Sequence, residues 1–135
     1  MSLTRLLAKT TSIGHSHTAD ESVIHRSHAI HGAVQQLRAE PNLWALEDVL
    51  CQNPAKGVVI QGTGGFRKIR MGLPGRGKRG GCRIVYLHVR SASRIYFVYL
   101  YPKNEEVDLS ADQKKSLKQI AHAIYEEVKK DPSLK

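Results

Sequence analysis

Residues 82–101, CRIVYLHVRSASRIYFVYLY, decide the fold. Two apolar runs, 82–90 and 94–101, flank the short polar link Ser91-Ala92-Ser93. Ile84, Val85, Leu87 and Val89 fill the first run, and Ile95, Phe97, Val98 and Leu100 the second. Neither run alternates cleanly between apolar and polar, so neither has a face meant for water. β-branched and aromatic runs of this length, apolar on both sides, read as the central strands of a sheet. Four of the five tyrosines (Tyr86, Tyr96, Tyr99 and Tyr101) lie on this hairpin.

Immediately upstream, residues 61–83 read QGTGGFRKIRMGLPGRGKRGGCR. This stretch holds seven basic residues (Arg67, Lys68, Arg70, Arg76, Lys78, Arg79 and Arg83), eight glycines and no acid. Between residues 49 and 104 there are eleven Lys/Arg and no Asp/Glu, whereas the whole chain carries only +9. The positive charge is therefore local, and the rest of the chain is slightly acidic. A confined cationic block interleaved with glycines is the footprint of a surface that grips phosphates. Within it, residues 66–71 alternate as a strand, setting Lys68 and Arg70 on one face roughly 7 Å apart. Residues 72–81 then read as a glycine-rich loop that delivers Arg76, Lys78 and Arg79.

The flanks supply the remaining elements. Residues 23–30, VIHRSHAI, read as a short strand that runs into a helix in which Ile30, Ala33, Val34 and Leu37 form one apolar stripe. Pro41 breaks that helix and suits the first turn of a second. There Leu43, Leu46 and Leu50 face inward, Trp44 is expected to anchor on the sheet, and Glu40, Glu47 and Asp48 are expected to face water. Residues 58–60 make one more short strand. After the hairpin, Ser110 and Gln113 form a capping box. Leu117, Ile120, Ala121, Ile124 and Val128 then make the buried stripe of a final helix. The sum is an α+β domain: a twisted antiparallel sheet of about four strands, with an N-terminal helical hairpin and a C-terminal helix on one face. The basic block is expected on the other face and at its rim.

A chain of 135 residues forms one domain with a core of its own. Residues 1–22 stand apart as a Ser/Thr-rich segment of little periodicity, superficially like a transit peptide but better read as a disordered extension, leaving 23–135 as the domain. His15 and His17 there lack further ligands, so no metal site is expected. Cys51 and Cys82 make no disulfide framework, and no apolar run is long enough to span a membrane. Two phosphate-loop patterns also fail. Residues 72–78 fit G-x-x-x-x-G-K, but Arg79 stands where a Ser/Thr hydroxyl is needed. Residues 75–80 fit G-x-G-x-x-G, yet a strand follows, so no helix N-terminus receives a phosphate.

Several motifs now line up in order: NPAKG, VIQGTGGFRKIR, GRGKRGGCRIVYLHV and YLYPKNEEVDLSADQKK. Together they resemble the RelE/HigB superfamily of type II toxins, most closely the HigB-type branch, over residues 23–135. The resemblance implies cleavage of messenger RNA on the ribosome in the cytoplasm, with contacts to ribosomal RNA. It also implies a cognate antitoxin, HigA-like with a helix-turn-helix. The chemistry it implies uses no metal and no cofactor: a ribose 2′-hydroxyl attacks the adjacent phosphorus and the 5′-oxygen leaves.

Lys68 and Arg70 match the paired basic positions of the RelE-like strand, and Arg83 matches the arginine that opens the next strand. These three are the implied catalytic residues. A lysine among cations gives up its proton more readily, and so can act as base, whereas arginine clamps phosphate oxygens. Arg67, Arg76, Lys78, Arg79 and Lys103 are expected to bind RNA, and Tyr99 and Tyr101 to stack on a splayed base. The Lys103-Asn104 pair departs from relatives that carry Lys-Arg there. His88, between Leu87 and Val89, reads as a structural histidine. Two alternatives stay open: a ParE-like, non-catalytic inhibitor of DNA gyrase, and a ribosome- or RNA-binding module without turnover.

Overall fold

The computed structural model describes residues 10–11, 23–75, 77–102 and 109–132, with 10–11 and 77–80 described by backbone alone. In chain order the elements are β1 (Thr10–Thr11), β2 (Val23–Ser27), α1 (His28–Gln36), α2 (Glu40–Gln52), β3 (Val58–Val59), β4 (Arg67–Leu73), β5 (Gly77–Val89), a 3-10 turn (Arg90–Ala92), β6 (Arg94–Pro102) and α3 (Ala111–Lys130). The α+β class and the order of elements are those the periodicities predict. The expected hairpin is the centre of the sheet: β5 and β6 pair antiparallel from Cys82↔Pro102 to Val89↔Arg94. Ser93, in the left-handed region at φ 50°, closes the turn between them.

The sheet order is β1-β2-β6-β5-β4-β3. It is mixed rather than antiparallel, because β2 runs parallel to β6. The chain leaves β2, crosses one face through α1 and α2, and re-enters the sheet at the opposite edge in β3. Such a crossover frees β2 from pairing with its successor, so no tight turn dictates its direction. Alternation within residues 23–27 marks a strand but carries no information about its neighbour. At the outer edge, Thr10 and Thr11 pair with Ser27 and Arg26. The other residues of the 1–22 segment lie outside the described residues.

The helices do not share a face. Ile30, Val34, Leu43 and Leu50 pack with Ile84, Tyr86, Ile95 and Phe97 on one side. Leu117, Ile120, Ala121 and Val128 pack with Val85, Leu87, Val89 and Val98 on the other. The one-face arrangement was incompatible with the composition of the hairpin. Strands apolar on both sides need two covers, and α3 is the second. The cationic strand residues therefore share their face with α3, and lie beyond its N-terminal end.

Local chemistry fixes the helix ends. Ser27 Oγ accepts from the Ile30 backbone N–H at 3.2 Å, capping α1, and donates to the Val98 carbonyl at 3.0 Å, tying that cap to the sheet. The capping box of α3 forms as expected: Ser110 Oγ accepts from Gln113 N at 3.1 Å, and Gln113 Oε1 accepts from Ser110 N at 2.9 Å. All five residues of its apolar stripe are buried.

Two expectations for α2 fail together. Trp44 is 51% exposed, and Glu47 is 1% exposed. The cause is Arg26, which points from β2 into the α2 interface. Its guanidinium donates to both Glu47 carboxylate oxygens at 2.8 Å and to Glu40 Oε1 at 2.5 Å. Trp44 Nε1 donates to the same Glu40 oxygen at 2.7 Å from outside. A buried cation thus draws an acid inward, and the indole lies over the partly exposed end of the network.

Candidate functional site

β4 alternates between two tasks. Ile69, Met71 and Leu73 turn to the α1–α2 side and join that core, while Lys68 and Arg70 turn to the α3 side. The ladder register then fixes their neighbours. Lys68 lies opposite Val85, Arg70 opposite Arg83, and Arg83 in turn opposite Tyr101, with Val85 opposite Tyr99. Strict alternation would place Tyr99 and Tyr101 with Ile95 and Phe97 on the other face. An irregularity between Val85 and Tyr86 prevents this: Val85 pairs with Tyr99 and Tyr86 with Phe97, leaving Val98 as an extra residue in β6. The resulting bulge turns both tyrosines onto the cationic face. Lys68, Arg70, Arg83, Tyr99 and Tyr101 thus share one surface of three adjacent strands.

Exposure differs among them. Arg70 is exposed and Lys68 half-buried, whereas Arg83 is only 5% exposed. One Arg83 guanidinium nitrogen donates to the Cys82 carbonyl at 3.4 Å. Tyr99 and Tyr101 lie with ring centroids 5.8 Å apart and planes tilted by 30°. The Cys82 thiol, buried on the opposite face, is pushed up to about 11 by burial, with Arg83 opposing the shift. It is therefore a protonated thiol near neutral pH and no nucleophile.

The surroundings hold this strand in place. Arg67, alternating away from Lys68, donates to the carbonyls of Ala55 at 3.1 Å and Gly57 at 2.7 Å. The Tyr86 hydroxyl accepts from Gly57 N at 2.9 Å and donates to the Pro54 carbonyl at 2.7 Å. Together they pin the NPAKG segment, where a Cβ on Gly57 would stand 2.7 Å from the Tyr86 ring and 2.9 Å from the Lys68 carbonyl. The GTGG turn has a similar structural task. Thr63 Oγ1 donates to the Ile60 carbonyl at 2.6 Å. Gly64, at φ +77°, lets the backbone approach Ala121 of α3 to within 3.0 Å of where a Cβ would sit. These motifs brace β4 and seat α3, so they shape the site without lining all of it.

Two concavities meet at β4, and Val58 and Lys68 line both. The larger, a groove of about 850 Å3, runs between α2 and β4 past Leu46, Val49, Lys56 and Arg70. The smaller, a cleft of about 180 Å3, lies between the end of β3 and the start of α3 and is walled by Gln61, Tyr101, Leu109 and Lys114. The tyrosine-bearing surface opens on the cleft, so the larger hollow is not the one nearest the aromatic pair.

Not every expected residue is brought to this place. Arg67 lies on the other face, committed to backbone carbonyls. Arg76 and Lys103 lie outside the described residues, as do the side chains of Lys78 and Arg79. The backbone there is not a long loop: after a register shift beyond Met71↔Cys82, β4 and β5 pair again at Leu73↔Gly77, and Gly75 takes φ +77° in the turn. His88 is half-buried, and burial with Arg67 and Arg90 nearby lowers its pKa. Sequence reasoning passed over Lys56, Gln61 and Lys114 as site residues. All three fall inside the quoted motifs, but nothing short of the tertiary pairing sets them beside Lys68.

Chemically, the surface offers ammonium and guanidinium groups to anionic oxygens, and phenol rings to planar groups. Among the described residues, no carboxylate lines either concavity. Residues 54–132 match the family described as the RelE toxin of the RelE/RelB toxin–antitoxin system.

Proposed function

The chain belongs to the RelE toxin family, and on that premise we propose that it is a metal-independent endoribonuclease that cuts messenger RNA on the ribosome. In this reading it belongs to the HigB-type branch, acts in the cytoplasm, and is held off by a HigA-like antitoxin carrying a helix-turn-helix. The observation that carries the reading is the register that gathers Lys68, Arg70, Arg83, Tyr99 and Tyr101 on one sheet surface.

In the proposed reaction, Lys68 takes the proton of a ribose 2′-hydroxyl. The 2′-oxygen bonds to the adjacent phosphorus, and the bond from phosphorus to the 5′-oxygen breaks. The leaving 5′-oxygen takes a proton from solvent, and protonated Lys68 later returns its proton to solvent, so the products are a 2′,3′-cyclic phosphate and a 5′-hydroxyl end. Arg70, exposed, grips non-bridging phosphate oxygens whose charge grows in the phosphorane. Arg83, its cross-strand neighbour on the same surface and nearly buried, adds positive potential where water screens it least. Tyr99 and Tyr101 offer a ring surface to an unstacked base. Arg76, Lys78, Arg79 and Lys103 are further cations proposed to bind the message and ribosomal RNA.

The test is to incubate the purified chain with translating ribosomes and map new message ends. Fresh 5′-hydroxyl ends within codons are expected. Growth arrest without new ends, accompanied by loss of gyrase supercoiling, would replace this reading with the ParE-like one. Tight ribosome binding with neither effect would leave a binding module without turnover.

A further inference from the structure

We propose that the small cleft between β3 and α3 is a base-selecting pocket that takes one unstacked nucleobase, with Gln61 and Lys114 as its specificity-determining residues. The inference rests on the reading above that RNA is the substrate. At about 180 Å3 the cleft is smaller than the ~300–1,000 Å3 of sites for drug-sized ligands, the scale of one ring system rather than of a folded oligonucleotide.

Its walls have the composition a base requires. Tyr101 and Leu109 supply flat and apolar surface, and the nearly buried Ile60 is also in the lining. Gln61 brings an amide, which donates and accepts, and Lys114 an ammonium, which only donates. Single-stranded RNA is read in this way, by stacking on aromatic rings and by hydrogen bonds to exposed base edges. The position also fits: Lys68 is part of the cleft wall, so a base held here belongs to a nucleotide beside the phosphate that Lys68 serves.

Gln61 is free to act in selection because it carries none of the turn's structural bonds. The Thr63 hydroxyl and the left-handed glycines at 62, 64 and 65 shape that turn. Lys114 sits one turn into α3, whose capping is done by Ser110 and Gln113. Substituting either residue therefore leaves the scaffold in place.

The chemistry gives a directional test. In Gln61→Glu the amide becomes a carboxylate that accepts only. It favours the bases that present an amino group (adenine, cytosine and guanine) over uracil, whose single N3–H donor is flanked by two carbonyls. Cleavage of ribosome-bound messages differing at the codon under attack would be compared for wild type, Q61E and Q61A. We expect the ratio of cutting at amino-bearing bases to cutting at uracil to rise about 5- to 150-fold in Q61E, the discrimination of one good base contact. Q61A and Lys114→Ala are expected to flatten the wild-type preference while cutting continues. If all variants cut with the wild-type base profile, or if folded Q61E and Q61A cut nothing, the cleft selects no base and this inference fails alone. A wild-type protein that cuts no message overturns the ribonuclease reading itself, and this inference with it.

Discussion

Single residues decide more here by where they pair than by what they are. Arg26 and Glu47 show this most clearly. On sequence, an acid in a helix beside Asp48 belongs in water, yet Glu47 is buried because a strand arginine reaches across the interface to it. Nothing local signals such a partner twenty-one residues away, and a buried pair broken on one side typically costs about 3–5 kcal/mol. His25 is a second case. It stacks on Tyr96 with ring centroids 4.6 Å apart, and burial, then Arg94, lower its pKa against an opposing pull from Glu127. Burial lowers His88 likewise, with Arg67 and Arg90 adding to it. In the window between the depressed folded value and the ordinary 6.5, the unfolded chain binds more protons than the folded one. Their contribution is thus complete above 6.5 and is lost as the pH falls. The thermal midpoint is expected to drop between about pH 8 and pH 5, and His25→Phe to make that drop shallower. An unchanged slope in the variant would show that His25 does not titrate with folding.

At the scale of elements, the parts legible in sequence are those whose signal is local. The capping box and the five-residue stripe of α3 were readable from spacing, and so were the hairpin of β5 and β6 and the inward leucines of α2. The parallel placement of β2 was not, because strand direction depends on a crossover rather than on any run of residues. The bulge at Val98 was equally silent. Alternation along residues 94–101 puts all four odd-numbered side chains on one face, and only the ladder shows that Tyr99 and Tyr101 have changed sides. The shared face of Lys68 and Arg70 was readable, by contrast, since it needs only the period of two. A prediction belongs at this scale. Ser110→Ala removes one half of the α3 cap and is expected to cost about 1 kcal/mol, a fall of about 4 °C in thermal midpoint. Because Leu109 and Lys114 flank that cap and line the cleft, the same variant is expected to blur base preference before it slows cutting. Monitoring both quantities in one preparation separates the two effects.

For the whole molecule, the arrangement is a sheet clamped between an N-terminal helical pair and a C-terminal helix, with its cationic end left beyond that last helix. A charge of +11 between residues 49 and 104, in a chain of net +9, makes binding to a polyanion the dominant long-range force. If six phosphates are contacted, ribosome affinity is expected to fall on the order of 10³-fold between about 50 and 200 mM salt. A flat salt profile would mean that the charged surface is not the one that binds. The central claim is that phosphoryl chemistry resides on the sheet, at Lys68 and Arg70, rather than on the glycine-flanked turn. Single-turnover cleavage at saturating ribosome, with folding of each variant checked by its thermal midpoint, tests it most directly. Lys68→Ala is expected to cut about 10²–10⁴ times more slowly than wild type, and Arg70→Ala about 10²–10³ times more slowly. Lys78→Ala and Arg79→Ala are expected to weaken binding while cutting at near the wild-type rate once bound. Folded Lys68→Ala and Arg70→Ala proteins that cut at the wild-type rate, beside turn variants that cut nothing, would contradict the account.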